Sequence, residues 1–532
     1  MSVSKAQEED MVLEGERLDR RDTILILDFG GQYCHLIGRR IREQGVYTEL
    51  VPYDITIEEV NVLDTSLDFK GIILSGGPSS VFDKDAPRCD PSIFDLGIPV
   101  LGLCYGHQLI AHIFGGKVES AEKKEYGPAH AIVDRAVSIL TGLEATEQVW
   151  MSHGDTVFSL PPRFEVLAHT DNSPIAAFCD KRGSLYGLQW HPEVSHTKKG
   201  NLMLRNFIFL VCGCRANWSL GNFIGEAIAE VRRSVGDGKC IVALSGGVDS
   251  STAAVLVERA IGERLTAIFV DHGFMRAGET EAIRTMFEKS DINFIALDES
   301  KRFLKKLRGV QDPEEKRKVV GREFIRTFEE VARRVGAQYL VQGTIYPDRI
   351  ESGYKRHSEK IKTHHNVAGL PTRVDFKAII EPLKDLYKDE VRKVASLLEL
   401  PEEIVWRQPF PGPGLSVRVA GEVTQEKLEI VRMADALVTE EIDKEGLNES
   451  LWQYFAVLTE TKSTGVKGDS RVYGYTVAIR AVESMDGMTA MFAKVPYAVL
   501  ERISTRITNE VPQISRVVYD ISNKPPATIE WE

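Results

Sequence analysis

The sequence predicts an α/β protein: two doubly wound parallel-sheet domains followed by a small α+β domain, and three observations carry this. Short apolar runs end repeatedly in glycine-rich turns, most of them followed by helical patterns, and they form two separate series, at 23–108 and 240–344. A proline-rich break, Arg407 to Leu415 (RQPFPGPGL), suits neither helix nor central strand and sets off a last stretch with one long helix and several strands. A chain of 532 residues is also too long for one core. We expect a flexible N-terminal arm at 1–21 and domains at 22–214, 215–408 and 409–532. The composition, 43% hydrophobic and 27% charged, is that of an ordinary globular protein. A net charge of −12 argues against nucleic acid as a partner, because phosphate-backbone binding needs a basic face. Seven cysteines, odd in number and mostly scattered, suit free thiols in a reducing compartment. Cys212-Gly213-Cys214 reads as buried small residues, since no second ligand pair follows. No apolar run approaches membrane-spanning length and the arm has no signal-peptide core, so a cytosolic protein with no membrane association is expected.

In the first series, Thr23–Leu27 is a buried-strand run ending in DFGGQY, with a helix pattern from His35 to Gln44. Gly71–Leu74 leads into Ser75-Gly76-Gly77-Pro78, and Pro99–Leu103 leads into Cys104-Tyr105-Gly106-His107-Gln108. Ligands bind at the carboxyl ends of such strands, so the three turns belong to one crevice. Gly102-Leu103-Cys104-Tyr105-Gly106 has the shape of a nucleophile elbow, in which small residues two before and two after permit a strained strand-to-helix turn. That turn presents Cys104 at a helix N-terminus, which favours a thiolate. A base and an orienter are offered by Gln189-Trp190-His191-Pro192-Glu193, after a strand at 184–188. Together they make a Cys104-His191-Glu193 constellation.

The motifs DFGGQY, SGGP, GLCYGHQ, WMSHGD and QWHPE, in that order, resemble the class I glutamine amidotransferases over residues 22 to about 214. The resemblance implies Cys104 as nucleophile, His191 as base and Glu193 as orienter, with glutamine deamidated through a thioester. It also implies the backbone N–H groups of Gly77 and Tyr105 as the oxyanion hole, and Gln108, His153 and Asp155 as candidates for holding glutamine.

In the second series a helix is expected at 218–234. The strand Cys240–Leu244 runs into Ser245-Gly246-Gly247-Val248-Asp249-Ser250-Ser251, and a helix-compatible segment continues from Ser251 to Ile261. Two glycines let the backbone approach a ligand closely, and the N–H groups of the new helix and the serine hydroxyls suit phosphate oxygens. The loop lacks the lysine that closes a Walker A loop. SGGVDSS resembles instead the pyrophosphate loop of the N-type ATP pyrophosphatases, which cleave ATP between the α and β phosphates. Strands are expected at 265–270, ending in Asp271-His272-Gly273, and at 338–341, ending in Gln342-Gly343-Thr344. Between them the basic run 303–322 is either a solvated face or a lid over anionic nucleotides. Lys362-Thr363-His364-His365-Asn366 is similar to the next motif of that family, with Ala368 where relatives usually carry glycine.

Beyond the break, a helix is expected at 425–445 and strands at 453–458, 472–481 and 515–521. PFPGPGL, KGDSRVYGYTVAIR and the terminal KPPATIEWE, added to the two preceding resemblances, make residues 22–532 resemble the glutamine-hydrolysing GMP synthetases. What this implies is amination of XMP to GMP with ammonia from glutamine, ATP being cleaved to AMP and pyrophosphate through an adenyl-XMP intermediate with Mg2+. It further implies ATP contacts from Ser245, Gly246, Gly247, Val248, Asp249, Ser250 and Ser251, with Asp249 a candidate for Mg2+. XMP contacts are implied at Arg308, Asp469, Lys524, Ile529 and Glu530, and a homodimer through the C-terminal domain. A proline-containing tail is ordinarily frayed, and that reading stands beside the XMP one. Two alternatives use the same scaffold: a related enzyme with another acceptor, and a non-catalytic regulatory homologue.

Overall fold

The protein is described from a computed structural model that covers residues 20–65, 67–353, 376–484 and 489–532. The chain divides into two compact units: the first runs to Phe223 and also takes a short piece beginning at Ile350, and the second holds Ile224–Arg349 and the C-terminal remainder.

In the first unit, β1 (Asp22–Asp28), α1 (Cys34–Arg42), β2 (Tyr47–Pro52), α2 (Ile57–Leu63), β3 (Asp68–Leu74), β4 (Val100–Leu103) and α3 (Tyr105–Ile113) follow one another as the periodicity predicts. Ile24 to Leu27 are wholly buried, as a strand covered on both faces must be. Each such side chain is worth about 1.5–3 kcal/mol. The chain continues through β5 (Lys117–Val133), β6 (Thr146–Ser159), β7 (Phe164–His169), β8 (Ala177–Asp180) and β9 (Leu185–Leu188). All nine strands form one sheet in the order β2-β1-β3-β4-β9-β8-β7-β5-β6. The half from β2 to β9 is parallel, as expected. The half from β9 to β6 is antiparallel, an extension that the sequence reading had not assigned. There β6 alternates buried and half-exposed residues, and β8 is only four residues long, so neither shows as a long apolar run.

The unit boundary falls within the first turn of α4 (Leu220–Val235), and the second unit goes on with β10 (Cys240–Leu244), α5 (Val248–Ile261), β11 (Leu265–Asp271), α6 (Glu279–Glu288), β12 (Asn293–Asp298), α7 (Ser300–Leu307), α8 (Pro313–Val335), β13 (Tyr339–Val341), β14 (Ala378–Ile380) and α9 (Lys388–Leu397). The five strands form a parallel sheet ordered β12-β11-β10-β13-β14. Then come α10 (Gln425–Lys444), β15 (Gln453–Lys467), β16 (Ser470–Glu483), β17 (Met491–Phe492), α11 (Tyr497–Glu510) and β18 (Ile514–Tyr519). Antiparallel β15 and β16 pair directly, while β18 lies parallel to β16. One apolar core runs through the unit, from Ile241 and Ile268 through Leu415 and Val431 to Ile479 and Ile503. Side-chain caps fix two helix starts: Asp312 accepts from the Glu315 N–H with Pro313 at the first position, and Thr424 accepts from the Lys427 N–H. Such a cap contributes about 1 kcal/mol.

Candidate active sites

Cys104 stands between β4 and α3 with φ 51° and ψ −104°, a conformation that L side chains seldom adopt. Its neighbours make the turn possible. A Cβ at Gly102 would come within 2.3 Å of the Gly106 carbonyl oxygen, and one at Gly106 within 2.4 Å of the Leu74 oxygen. The two glycines of GLCYG are therefore steric requirements of the elbow.

His191 lies just past β9, with Nδ1 2.7 Å from Glu193 Oε1 and a side-chain hydrogen bond to Cys104. Burial pushes the imidazole down. The negative charges of Glu193 and the Cys104 sulfur, with the hydrogen bonds, more than reverse this and hold the ring well above its ordinary value. An imidazole in that state holds its proton firmly. Glu193 is almost wholly buried, the Tyr33 ring meets His191 edge-on at 5.0 Å, and the Thr197 hydroxyl donates to the His191 carbonyl at 2.6 Å. The loop after β3 closes the other side. A Cβ at Gly76 would touch His191 Cε1 at 3.2 Å and Cys104 Cβ at 3.6 Å, while one at Gly77 would lie 2.7 Å from the Phe29 oxygen. Tyr105 opens α3, whose first N–H groups have no partner within the helix.

Gln108, His153 and Asp155 do come together, through the Asp155 backbone carbonyl. Gln108 Nε2 donates to it at 2.8 Å, and His153 Nδ1 lies 2.8 Å from it. Cys104 Sγ is 3.6 Å from the Ser152 carbonyl on the same strand. Glu125, on β5, was missed in the sequence reading: its Oε2 is 3.0 Å from His153 Nε2, and Thr170, Ser173 and Asn172 also donate to it. No motif marks it.

The loop from Ser245 to Ser251 departs in detail from expectation. α5 begins at Val248 rather than Ser251, so only Ser245, Gly246 and Gly247 form the turn. The serine hydroxyls explain the tightness: Ser245 Oγ accepts from the Gly247 N–H at 3.3 Å and pairs with Ser250 Oγ at 3.1 Å. Gly246 has φ +74°, and a Cβ there would come within 2.5 Å of Arg407 Nη1. Arg407 donates to the Ser245 carbonyl at 3.4 Å and pairs with Glu279. Lys388 Nζ, at the start of α9, sits 2.5 Å from Asp249 Oδ2, and Arg392 is near enough to Asp249 to feel its charge. Burial lowers both Arg392 and Arg407, carboxylates opposing it in each case. Three cations thus gather at a phosphate-type loop that has no lysine of its own.

Three family descriptions match in order along the chain: class I glutamine amidotransferase over 25–211, NAD synthase over 220–431 and GMP synthase C terminal domain over 440–531. The chain is similar over nearly all its length to proteins named GMP synthase (glutamine-hydrolyzing). That of Geobacillus kaustophilus is 56% identical over 514 residues, covering 96% of this chain and 100% of the relative. That of Caldanaerobacter subterraneus subsp. tengcongensis is 54% identical, covering 96% and 99%, and that of Clostridium perfringens 52%, covering 96% and 100%. The chain belongs to the glutamine-hydrolysing GMP synthases.

In this chain the C-terminal segment is docked, and the frayed-tail reading is set aside. Ile529 is buried against Phe455, Val457, Ala478 and Ala490. Glu530 takes two hydrogen bonds from Arg418, at 3.1 and 2.9 Å, and one from Gln453. Arg480, wholly buried, donates to the carbonyls of Ser522, Thr528 and Ile529. Lys524 exchanges backbone hydrogen bonds with Ala490, at 2.8 and 3.0 Å. The basic run is largely a solvated face, Lys305, Lys306, Lys318 and Arg322 being exposed, but Lys316 within it is fully buried, donating to the Val419 carbonyl and pairing with Glu532. Arg308, at the end of α7, and Asp469, at the tip of the β15–β16 hairpin, are both exposed. All seven cysteines are free; Cys214 is buried as expected, whereas Cys212 is only half-buried. No described helix is long and apolar enough to cross a membrane. The 362–366 motif and Ala368 lie outside the described residues.

Proposed function

We propose that the chain aminates XMP to GMP, using ammonia that its first unit releases from glutamine and ATP bound by its second. The observation that carries this is the presence, in one chain of this family, of a Cys104-His191-Glu193 triad and a cation-ringed SGGVDSS loop. Cys104 attacks the glutamine carboxamide. His191 takes the thiol proton and delivers it to the leaving ammonia, while Glu193 fixes the ring through Nδ1. The N–H groups of Gly77 and Tyr105 stabilise the tetrahedral oxyanion, and water then hydrolyses the thioester. Gln108, His153 and Asp155 shape the glutamine pocket.

In the second unit, residues Ser245 to Ser251 hold the ATP phosphates. The xanthine oxygen attacks the α phosphate, pyrophosphate leaves, and ammonia displaces AMP from the adenylated base. Lys388, Arg392 and Arg407 are placed to balance the charge of the departing pyrophosphate. Asp249 fits a Mg2+ ion in part: Oδ2 is held by Lys388, and Oδ1 is buried with no hydrogen-bond partner. Among the described residues no cluster of three His, Cys, Asp or Glu side chains could hold a metal, so phosphate oxygens would supply the other ligands. Such an ion would neutralise phosphate charge.

Arg308, Asp469, Lys524, Ile529 and Glu530 are assigned to XMP. For Glu530 both carboxylate oxygens already meet protein donors, which leaves it to accept from XMP through its remaining lone pairs. The domain division at 22–214, 215–408 and 409–532 and a cytosolic location belong to the same reading. A homodimer is supported by the exposed apolar face around Tyr497 and Val518, beside a groove of about 380 Å³ lined by Ile479, Leu500 and Val517. The test follows ATP labelled in the α and γ positions, with XMP and glutamine. AMP, pyrophosphate and GMP in equal amounts are expected. ADP as the main product would overturn the reading.

A further inference from the structure

We infer that His153 is held as an imidazolium by Glu125, and that this buried pair positions the strand segment 152–155 against Cys104 and Gln108. The inference rests on the proposed glutaminase role of Cys104 only for its consequence, not for its geometry.

Both ring nitrogens of His153 face groups that can only accept. Nδ1 is 2.8 Å from the Asp155 backbone carbonyl, and Nε2 is 3.0 Å from Glu125 Oε2. A neutral imidazole would leave one nitrogen lone pair against an oxygen lone pair. Glu125 is ionised by the same reasoning. Thr170 Oγ1 already accepts from the Asn172 and Ser173 N–H groups, so its proton goes to Glu125 Oε1, which the Asn172 amide also reaches, while the Ser173 hydroxyl donates to Oε2. Burial pushes this carboxyl up, but the hydrogen bonds from His153, Ser173 and Thr170 bring it down to about 2. His107, fully buried on α3, is pushed down to about 3 by burial and then by the neighbouring His153 charge, so it stays neutral beside the pair. The pair matters because of what its strand carries. Cys104 Sγ lies 3.6 Å from the Ser152 carbonyl oxygen, and the Asp155 carbonyl takes both His153 and Gln108. Glu125 thereby acts on the glutamine pocket through β6 without touching the reacting atoms.

The test is two-bond 1H–15N correlation on the full chain labelled at histidine, at pH 7.5, with His153→Asn assigning the signals. Both His153 nitrogens should carry protons, and Glu125→Gln should convert the ring to a one-proton form. In the same variant kcat/KM for glutamine hydrolysis should fall roughly ten- to a hundredfold, chiefly through KM. Ser173→Ala, which removes one neutral donor, should keep the two-proton pattern. A one-proton pattern in the unaltered protein overturns the inference whether or not Glu125→Gln folds. So does a Glu125→Gln protein that keeps both the two-proton pattern and the original kcat/KM.

Discussion

Replacing Glu530 by alanine should loosen the C-terminal segment by an amount that the geometry brackets. Its carboxylate receives Arg418 Nε and Nη2 at 3.1 and 2.9 Å and Gln453 Nε2 at 3.2 Å. Arg418 has no exposed surface, and its guanidinium lies 4.0 Å above the Phe455 ring. Removing one partner of a buried ion pair costs about 3–5 kcal/mol, because the other charge stays in the interior. Asp435, 3.5 Å from Arg418 Nη1, retains part of the compensation. The expected loss is therefore at the lower end, about 3 kcal/mol, which is roughly a hundredfold in the population with the segment detached. Urea unfolding of the second unit, with limited proteolysis at the C-terminus, measures this directly. The Michaelis constant for XMP should rise in parallel, while glutamine hydrolysis persists because the Cys104 triad lies in the other unit. If Glu530→Ala unfolds at the original midpoint and its terminus resists protease as before, the ion pair does not anchor the tail and the reasoning fails.

Three other outcomes follow from the same geometry. Lys388→Met should raise the Michaelis constant for ATP about ten- to a hundredfold, since a charge-assisted contact is worth about 1.5–3 kcal/mol; an unchanged ATP dependence would remove Lys388 from the site. Glu125, held at about 2 against an ordinary 4.5, contributes stability that is complete above the ordinary value and is lost as pH falls from there through about 2. Thermal unfolding of the first unit should thus drop more steeply over that window in the unaltered protein than in Glu125→Gln, and equal slopes would contradict the assignment. Tyr497→Asp, at a side chain 90% exposed, should convert a dimer to monomer by light scattering, and a dimer that survives it would place the interface elsewhere.

What the sequence made legible was whatever needs a fixed local backbone. The elbow at Cys104 shows because Gly102 and Gly106 cannot be larger, and the loop at Ser245 shows because its hydroxyls and glycines close a three-residue turn. Parallel strands show as apolar runs because both faces are covered. The antiparallel half of the first sheet does not, since its alternation is broken by polar residues such as Glu125 and His153 that face a buried network. Single side chains arriving from afar leave no local pattern at all. Lys388 reaches Asp249 across 139 residues, Arg407 reaches Ser245 across 162, and Lys316 reaches Glu532 across 216. The start of α5 differs for a related reason: Val248 to Ser250 complete the helix's first turn, which the glycines and hydroxyls of the motif obscured.

The central claim is that one chain carries two separable chemistries, ammonia release at Cys104 and ATP-driven amination of XMP in the second unit. The measurement that tests it most directly is GMP formation from XMP and ATP by Cys104→Ala, supplied first with glutamine and then with an ammonium salt. Glutamine should support no synthesis, and the ammonium salt should support it at nearly the rate of the unaltered protein. Loss of both activities in a folded variant, or retention of the glutamine-dependent one, would contradict the account.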